Sequence, residues 1–132
     1  MAYSESQPTV SLIAETTFAK TDLYKFVAMS TTNGRVLINA TTAGKAYGTL
    51  LSQTYSTSTG ANEAVTVGLL IGIGKVFMAG STSHAGSMVS ASTLGYGVAP
   101  STNMLQLGIV VDGSSGTTGR IHSVAFGVNP NL

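Results

Sequence analysis

Short apolar runs, separated by glycine, serine, threonine and asparagine, constrain this chain most. Runs rich in Val, Ile, Leu and aromatic residues recur from Leu23 to Val128, and turn-forming residues lie between them. No apolar pattern at positions i, i+3, i+4 and i+7 continues for three helical turns, so the sequence predicts no long amphipathic helix. About eight short strands at intervals of 8–12 residues are typical of a β-sandwich or a small β-barrel. The predicted fold class is therefore all-β.

Two pairs of segments carry this prediction. Leu23–Met29 and Arg35–Ala40 flank Asn33-Gly34, the strongest short hairpin signal, because a type I′ turn needs positive φ at both central residues. Further along, Leu105–Asp112 is a strongly apolar strand, and Arg120–Val128 returns beside it. Each pair predicts two antiparallel strands.

Glycines inside the apolar runs refine the prediction. Gly68, Gly72 and Gly74 weaken a strand interior, which indicates bulges or sharp curvature, as at a barrel corner. At most one short helix is expected, around Ala14–Thr21 or Thr102–Leu105. Both places lack good caps.

A faint internal repetition suggests two similar halves. Gly34-Arg35-Val36 leading to Tyr47-Gly48-Thr49-Leu50 echoes Gly86-Ser87-Met88-Val89 leading to Leu107-Gly108-Ile109-Val110.

The first 21 residues differ from the rest. Pro8 restricts its neighbour to extended conformations, and no glycine or asparagine closes a hairpin with the apolar residues that follow. We therefore predict an extended N-terminal arm over residues 1–21, part of which forms a strand, followed by a single β domain over residues 22–132. The arm packs either on its own domain or on a neighbouring subunit.

Charge is scarce, and this argues against catalysis. Asp, Glu, Lys and Arg make up 8% of the chain, against about 25% in an average globular protein. There is no Cys, and only two His and five acidic residues are present. Acid–base, nucleophilic and metal chemistry is built from these groups. We expect no enzymatic activity, no cofactor and no metal.

Nucleic acid and membrane are not expected partners. The net charge is +1, and the six cations are spread along the chain without forming a basic patch. The longest apolar stretch, Val67–Gly74, is far shorter than the ~20 residues that span a bilayer. A surface of uncharged hydroxyl groups costs less to desolvate than a charged one, so docking on other proteins is the natural expectation.

Two alternatives involve candidate sites. His84, with nearby serines and Asp112, could form a hydrolase triad, but the Gly-x-Ser-x-Gly spacing is absent and a polar loop is the simpler interpretation. Three tyrosines, Tyr47, Tyr55 and Tyr96, could form a sugar-binding surface, or they could belong to the core.

The order of glycines and apolar runs resembles the capsid decoration (cement) proteins of tailed bacteriophages. Tyr47–Leu51, a loop and Gly60–Val67 resemble the core of that family, and Leu107–Asp112 with Gly119–Val124 resembles its C-terminal hairpin. Gly86–Val89 matches a turn of the family, except that Ser87 replaces the usual acidic residue.

The resemblance implies a small β-barrel of the β-tulip type, usually a homotrimer, on the outside of an icosahedral capsid. The partner would be the major capsid protein, and bridging neighbouring copies of it would stabilise the shell. An N-terminal arm in such proteins often crosses a capsomer boundary, which makes Tyr3, Pro8, Val10 and Leu12 the expected capsid contacts. The protein would be made in the host cytoplasm and located in the virion. The alternative function is a carbohydrate-binding or fibre-type adhesion module.

Overall fold

The structure, a computed structural model, describes residues 7–32, 34–40, 46–56, 59–79, 85–102, 104–112 and 120–127. Ten short strands lie within these residues. The strands are β1 Thr9–Ala14, β2 Phe26–Met29, β3 Arg35–Ile38, β4 Ala46–Leu50, β5 Ala64–Leu69, β6 Gly72–Met78, β7 Met88–Ala91, β8 Gly97–Val98, β9 Gly108–Val110 and β10 Arg120–Phe126. The only helical element within these residues is a 3-10 turn at Lys20–Asp22. This confirms the predicted all-β fold with at most one short helix.

The strands close into two five-stranded barrels. The order around barrel 1 is β1-β3-β2-β4-β5, and the order around barrel 2 is β10-β6-β8-β7-β9. Because so few strands enclose a narrow interior, side chains fill each barrel completely. The small-barrel prediction is confirmed, whereas the division into two barrels is not a feature that the sequence analysis predicts.

The predicted arm contributes a strand to barrel 1. Residues 9–14 are extended, as expected, but β1 pairs with β5 over five consecutive positions from Thr9 to Ile13 and with β3 on its other edge. Since both edges of β1 are paired within the barrel, this stretch belongs to the barrel and is not a free arm. Residues 1–6 lie outside the described part of the chain.

Each barrel has its own apolar core. The barrel 1 cluster contains Ala14, Phe18, Val27, Val36, Leu50, Val65 and Val67. The barrel 2 cluster contains Val76, Met78, Val89, Ala91, Val110, Val124 and Phe126, together with one residue of barrel 1, Phe26. Alternate strand residues point inward, so Phe26 points away from the core that its neighbour Val27 occupies. Phe26 therefore joins the two barrels.

Barrel 2 repeats the topology of barrel 1 strand for strand. The parallel pair β1–β3 corresponds to the parallel pair β6–β8, and the four antiparallel pairs of barrel 1 recur in barrel 2 in the same order. The pairing registers of the strands then show which residue of barrel 1 corresponds to which residue of barrel 2. The correspondences used below are Ile13 with Phe77, Phe26 with Met88, Val27 with Val89, Gly48 with Gly108 and Val67 with Val124.

The turns that open β3 and β8 show the same repeat. The Ser30 N–H donates a hydrogen bond to the Arg35 carbonyl at 2.9 Å, and the Ser92 N–H donates to the Tyr96 carbonyl at 2.8 Å. Each serine hydroxyl also accepts a hydrogen bond from the backbone N–H two residues later, at 3.0 and 3.3 Å. The two turns are therefore built in the same way.

The repetition expected from the sequence has a structural basis, with one correction. The match of Tyr47–Leu50 with Leu107–Val110 is right, because β4 and β9 correspond. The match of Gly34–Val36 with Gly86–Val89 is wrong, because β3 corresponds to β8 and not to β7.

Candidate interaction surfaces

The four predicted capsid-contact residues occupy different environments. Tyr3 lies outside the described residues. Pro8 is exposed, and its carbonyl accepts a hydrogen bond from the Leu69 N–H at 2.8 Å. Val10 and Leu12 are half-buried and pack against the core of barrel 1. Their side chains stabilise the barrel, so we do not carry them into a contact surface.

Gln7 lies at the boundary between the barrels, although sequence analysis did not single it out. Its Nε2 donates hydrogen bonds to the Leu69 carbonyl at 2.8 Å and to Thr49 Oγ1 at 3.2 Å. A Cβ atom at Gly68 would lie 2.4 Å from Gln7 Cδ, and one at Gly74 would lie 2.3 Å from Gln7 Oε1. These two glycines therefore leave room for Gln7, which is a more specific reason than the predicted bulges.

The start of β2 inserts into barrel 2. The Phe77 N–H donates to the Tyr24 carbonyl at 2.9 Å, and the Phe26 N–H donates to the Gly95 carbonyl at 2.7 Å. The Phe26 ring is fully buried and meets Phe126 edge-on, with the ring centroids 6.4 Å apart. We call this contact between the barrels the junction.

Polar side chains complete the junction. Asn39, which is fully buried, donates from Nδ2 to the Ser92 carbonyl at 3.0 Å. Lys25 forms an ion pair with Asp22, with Nζ 2.8 Å from Oδ1, and Nζ also lies 4.9 Å from the centroid of the Tyr96 ring. A cation over an aromatic face is a favourable contact, so the junction combines apolar burial with directional contacts.

An apolar row crosses the outer face of barrel 2. Ile73 of β6 is opposite Ala125 of β10, Ala125 is opposite Ile109 of β9, and Ile109 is opposite Met88 of β7. The first three are half-buried, and Met88 is 39% exposed. We call these four residues the barrel 2 row.

Barrel 1 has a pocket of about 390 Å³ on its surface, within the usual size range of ligand pockets. Its lining mixes apolar and polar groups and consists of Glu15, Thr16, Ala28, Met29, Ser30, Thr31, Leu37, Asn39 and Ala40. One carboxylate oxygen of Glu15 is buried without a hydrogen-bond partner in the described structure.

Of the candidate chemical groups, His122 and Asp112 lie within the described residues. His122 is 4% exposed and lies in β10, where it pairs with Val76, and its Nε2 has no hydrogen-bond partner in the described structure. Asp112 Oδ1 accepts a hydrogen bond from the Ser123 N–H at 2.6 Å. His84 lies outside the described residues. Across the described ranges, no three His, Cys, Asp or Glu side chains are grouped as a metal site. No helix in these ranges is long and apolar enough to cross a membrane.

The three tyrosines of the sugar-binding alternative lie in three different environments. Tyr96 packs on Phe77, with the ring centroids 5.4 Å apart. Tyr47 is 39% exposed on β4, and Tyr55 is 98% exposed in the loop after it. No ring contact within the described residues joins two of the three.

The comparisons with known proteins identify the fold. No protein-family model matches the chain, and no curated protein matches its sequence. The chain is similar in structure to the N base of the head fibre gp8.5 of bacteriophage phi29, with a TM-score of 0.59 over 92% of this chain and 94% of that one. At 13% identity, this similarity shows a shared fold.

Proposed function

We propose that the chain is a structural protein of a bacteriophage virion and attaches to the outside of the head. The observation that carries the proposal is the fold shared over nearly its whole length with the base of a phage head fibre. The likeness covers both barrels, so it applies to the two-barrel unit as a whole. The scarcity of ionisable groups in the sequence supports a role in adhesion.

The proposed mechanism is mechanical. The chain binds neighbouring major capsid proteins and adds non-covalent contacts between subunits that would otherwise separate, as a cement protein does. As a homotrimer it would contact several capsid subunits at once, and each contact after the first would be effectively intramolecular. Modest affinity per copy would then suffice. Tyr3 and Pro8 remain the proposed arm contacts.

Binding to heads that lack the protein tests this function. Purified chain is mixed with such heads, and co-sedimentation is measured for the parent, Tyr3→Ala, Pro8→Ala and the matched control Tyr55→Ala, whose side chain is 98% exposed. We expect saturable binding that the two arm variants weaken and the control does not.

A negative result would be informative. Absence of binding to heads, together with binding on a glycan array, would overturn the proposal in favour of an adhesion module. Binding that is unchanged in both arm variants would leave the virion role standing and would remove Tyr3 and Pro8 from the contact surface.

A further inference from the structure

Each barrel contributes one side of the junction. Because the two barrels repeat each other, residues that correspond to each side also occur in the other barrel, on the surface of the protein. In the junction, barrel 1 supplies the start of β2 with Phe26, and barrel 2 supplies Phe77 with the turn around Gly95 and Tyr96. Because the barrels correspond residue by residue, barrel 2 has its own version of the first side, and barrel 1 has its own version of the second.

The first side recurs in barrel 2 at Met88. In barrel 1 the corresponding row across the strands consists of Thr9, Gly68, Thr49 and Phe26. Gln7 covers Gly68 and Thr49, and barrel 2 covers Phe26. The corresponding residues of barrel 2 are the barrel 2 row defined above. Phe26 is fully buried, whereas Met88 is 39% exposed. Met88, at the end of the barrel 2 row, is thus exposed where its counterpart Phe26 is covered by barrel 2.

The backbone before Met88 has the same form as the backbone before Phe26. The Tyr24 N–H donates to the Leu50 carbonyl at 2.8 Å, and the Gly86 N–H donates to the Val110 carbonyl at the same distance. Tyr24 and Gly86 both have positive φ, at 66° and 89°. The segment that ends at Met88 is therefore shaped like the one that enters the junction.

One hydrogen bond of barrel 1 cannot form at Met88. The Asn39 N–H donates to the Phe26 carbonyl at 2.9 Å. In barrel 2 the register that pairs Ser90 with Val98 brings Pro100 opposite Met88, and proline has no N–H to donate. The Met88 carbonyl therefore lacks the counterpart of the hydrogen bond that Asn39 donates to Phe26.

The second side recurs in barrel 1 at Ile13. Ile13 corresponds to Phe77, and Arg35, its partner in β3, corresponds to Tyr96. Ile13 is 36% exposed. Met88 and Ile13 are therefore exposed apolar residues at positions that correspond to two residues of the junction, Phe26 and Phe77.

Charge is compatible with contact between these two sides. Within the chain, Lys25 lies over Tyr96. Between copies the corresponding residues are Ser87 and Arg35, so this pair brings no like charges together.

We propose that two copies of this chain associate head to tail, with the barrel 2 row of one copy packing on the Ile13 side of barrel 1 of the next. In barrel 1 the Ile13 N–H already donates to the Gly34 carbonyl at 3.0 Å, so the contact between copies is surface packing without strand insertion. It is correspondingly weaker than the junction and depends on concentration. A heterologous contact of this kind closes into a ring or continues as a filament. The association concerns this chain alone and does not depend on the proposed virion function.

Single-cysteine variants test the arrangement directly, because the chain contains no Cys. Met88→Cys and Ile13→Cys are prepared separately, treated with a short bismaleimide alone or as a mixture, and examined by mass spectrometry. We expect a covalent dimer in the mixture and none with either variant alone. A dimer from Met88→Cys alone, or none in the mixture, would overturn the head-to-tail contact.

Sedimentation of the full chain gives an independent readout. Met88→Asp should raise the dissociation constant at least about tenfold, because association would bury a charge. Tyr55→Asp is the control and should sediment like the parent. Circular dichroism establishes that Met88→Asp keeps the fold. A parent chain that sediments as a monomer at every protein concentration examined would contradict the proposal.

Discussion

Gly48 and Gly108 make the same close contact in the two barrels. A Cβ atom at Gly48 would lie 2.3 Å from the carbonyl oxygen of Gly68, and one at Gly108 would lie 2.5 Å from that of Ala125. In both cases the second obstacle is a γ-carbon of the valine that precedes the carbonyl residue, at 2.6 and 2.7 Å. Neighbouring strands approach so closely at these two points that only glycine fits, and the shared detail supports the repeat independently of topology.

Alanine at either position is therefore expected to destabilise the fold. Gly48→Ala and Gly108→Ala should each lower the free energy of unfolding by about 1–3 kcal/mol, because a strand must shift to admit the methyl group. Urea unfolding measures the change. Ser11→Ala, at an exposed position of β1, is the control and should stay within about 0.5 kcal/mol of the parent. If both glycine variants matched the control, the close approach would be refuted.

The junction predicts that a residue of barrel 1 stabilises barrel 2. Phe26→Ala should lower the free energy of unfolding by about 3–5 kcal/mol, since a buried aromatic side chain is removed from a packed core. Amide hydrogen exchange should accelerate in β7 and β10. The comparison variant is Val27→Ala, whose cavity lies in barrel 1, and its exchange should accelerate chiefly in β4 and β5. Equal effects of both variants on barrel 2 would contradict this assignment.

The side chain of Thr54 is buried, and its hydroxyl group forms hydrogen bonds with the backbone. Its Oγ1 accepts a hydrogen bond from the Phe18 N–H at 3.2 Å and lies 2.9 Å from the Ser56 carbonyl, to which it can donate. Thr54→Val should cost about 1–3 kcal/mol because buried backbone groups lose their partner. Thermal or urea unfolding provides the measurement. Thr66→Val, at a half-buried strand position, should be nearly neutral. A neutral Thr54→Val would show that water replaces the hydroxyl.

Gly34 tests the hairpin predicted from the sequence. Its φ is +73°, and no atom lies within 4 Å of a Cβ placed there, so any cost of substitution comes from the backbone alone. Gly34→Ala should destabilise by about 1 kcal/mol, and Gly34→Asn by less, because asparagine tolerates left-handed backbone. Unfolding experiments on the two variants should rank them in that order, and the reverse order would argue against the left-handed conformation.

The fold class follows from local sequence properties, and this is why it could be predicted. Alternating apolar residues and glycine-rich turns specify strands and hairpins without reference to distant residues. The β2–β3 pair around Gly34 is a hairpin of this kind, and the pairing of β9 with β10 is as expected.

The division into two barrels depends on long-range pairing, which alternation does not specify. Phe26 and Val27 are both buried apolar residues of one strand, yet they belong to different cores. The alternation of apolar residues along β2 would be the same whichever of the two cores each face of the strand entered. The pairing of residues 9–14 was left open for a related reason, because β5, one of the two partners of β1, lies more than fifty positions later in the chain.

The candidate surfaces were less predictable still. Pro8, which restricts the backbone of its neighbour, is exposed. Val10 and Leu12 pack against the core of barrel 1, because β1 pairs with β5. Met88 carries no local signal of a contact surface, because it is one methionine in a short strand. Its interest comes only from its correspondence with Phe26.

The composition of purified virions tests the central claim most directly. If the proposed virion role is right, quantitative mass spectrometry of purified phage particles should find the chain in many copies per particle. Antibody labelling in the electron microscope should then place it on the outer surface of the head. Intact, infectious particles that lack the chain would contradict the account.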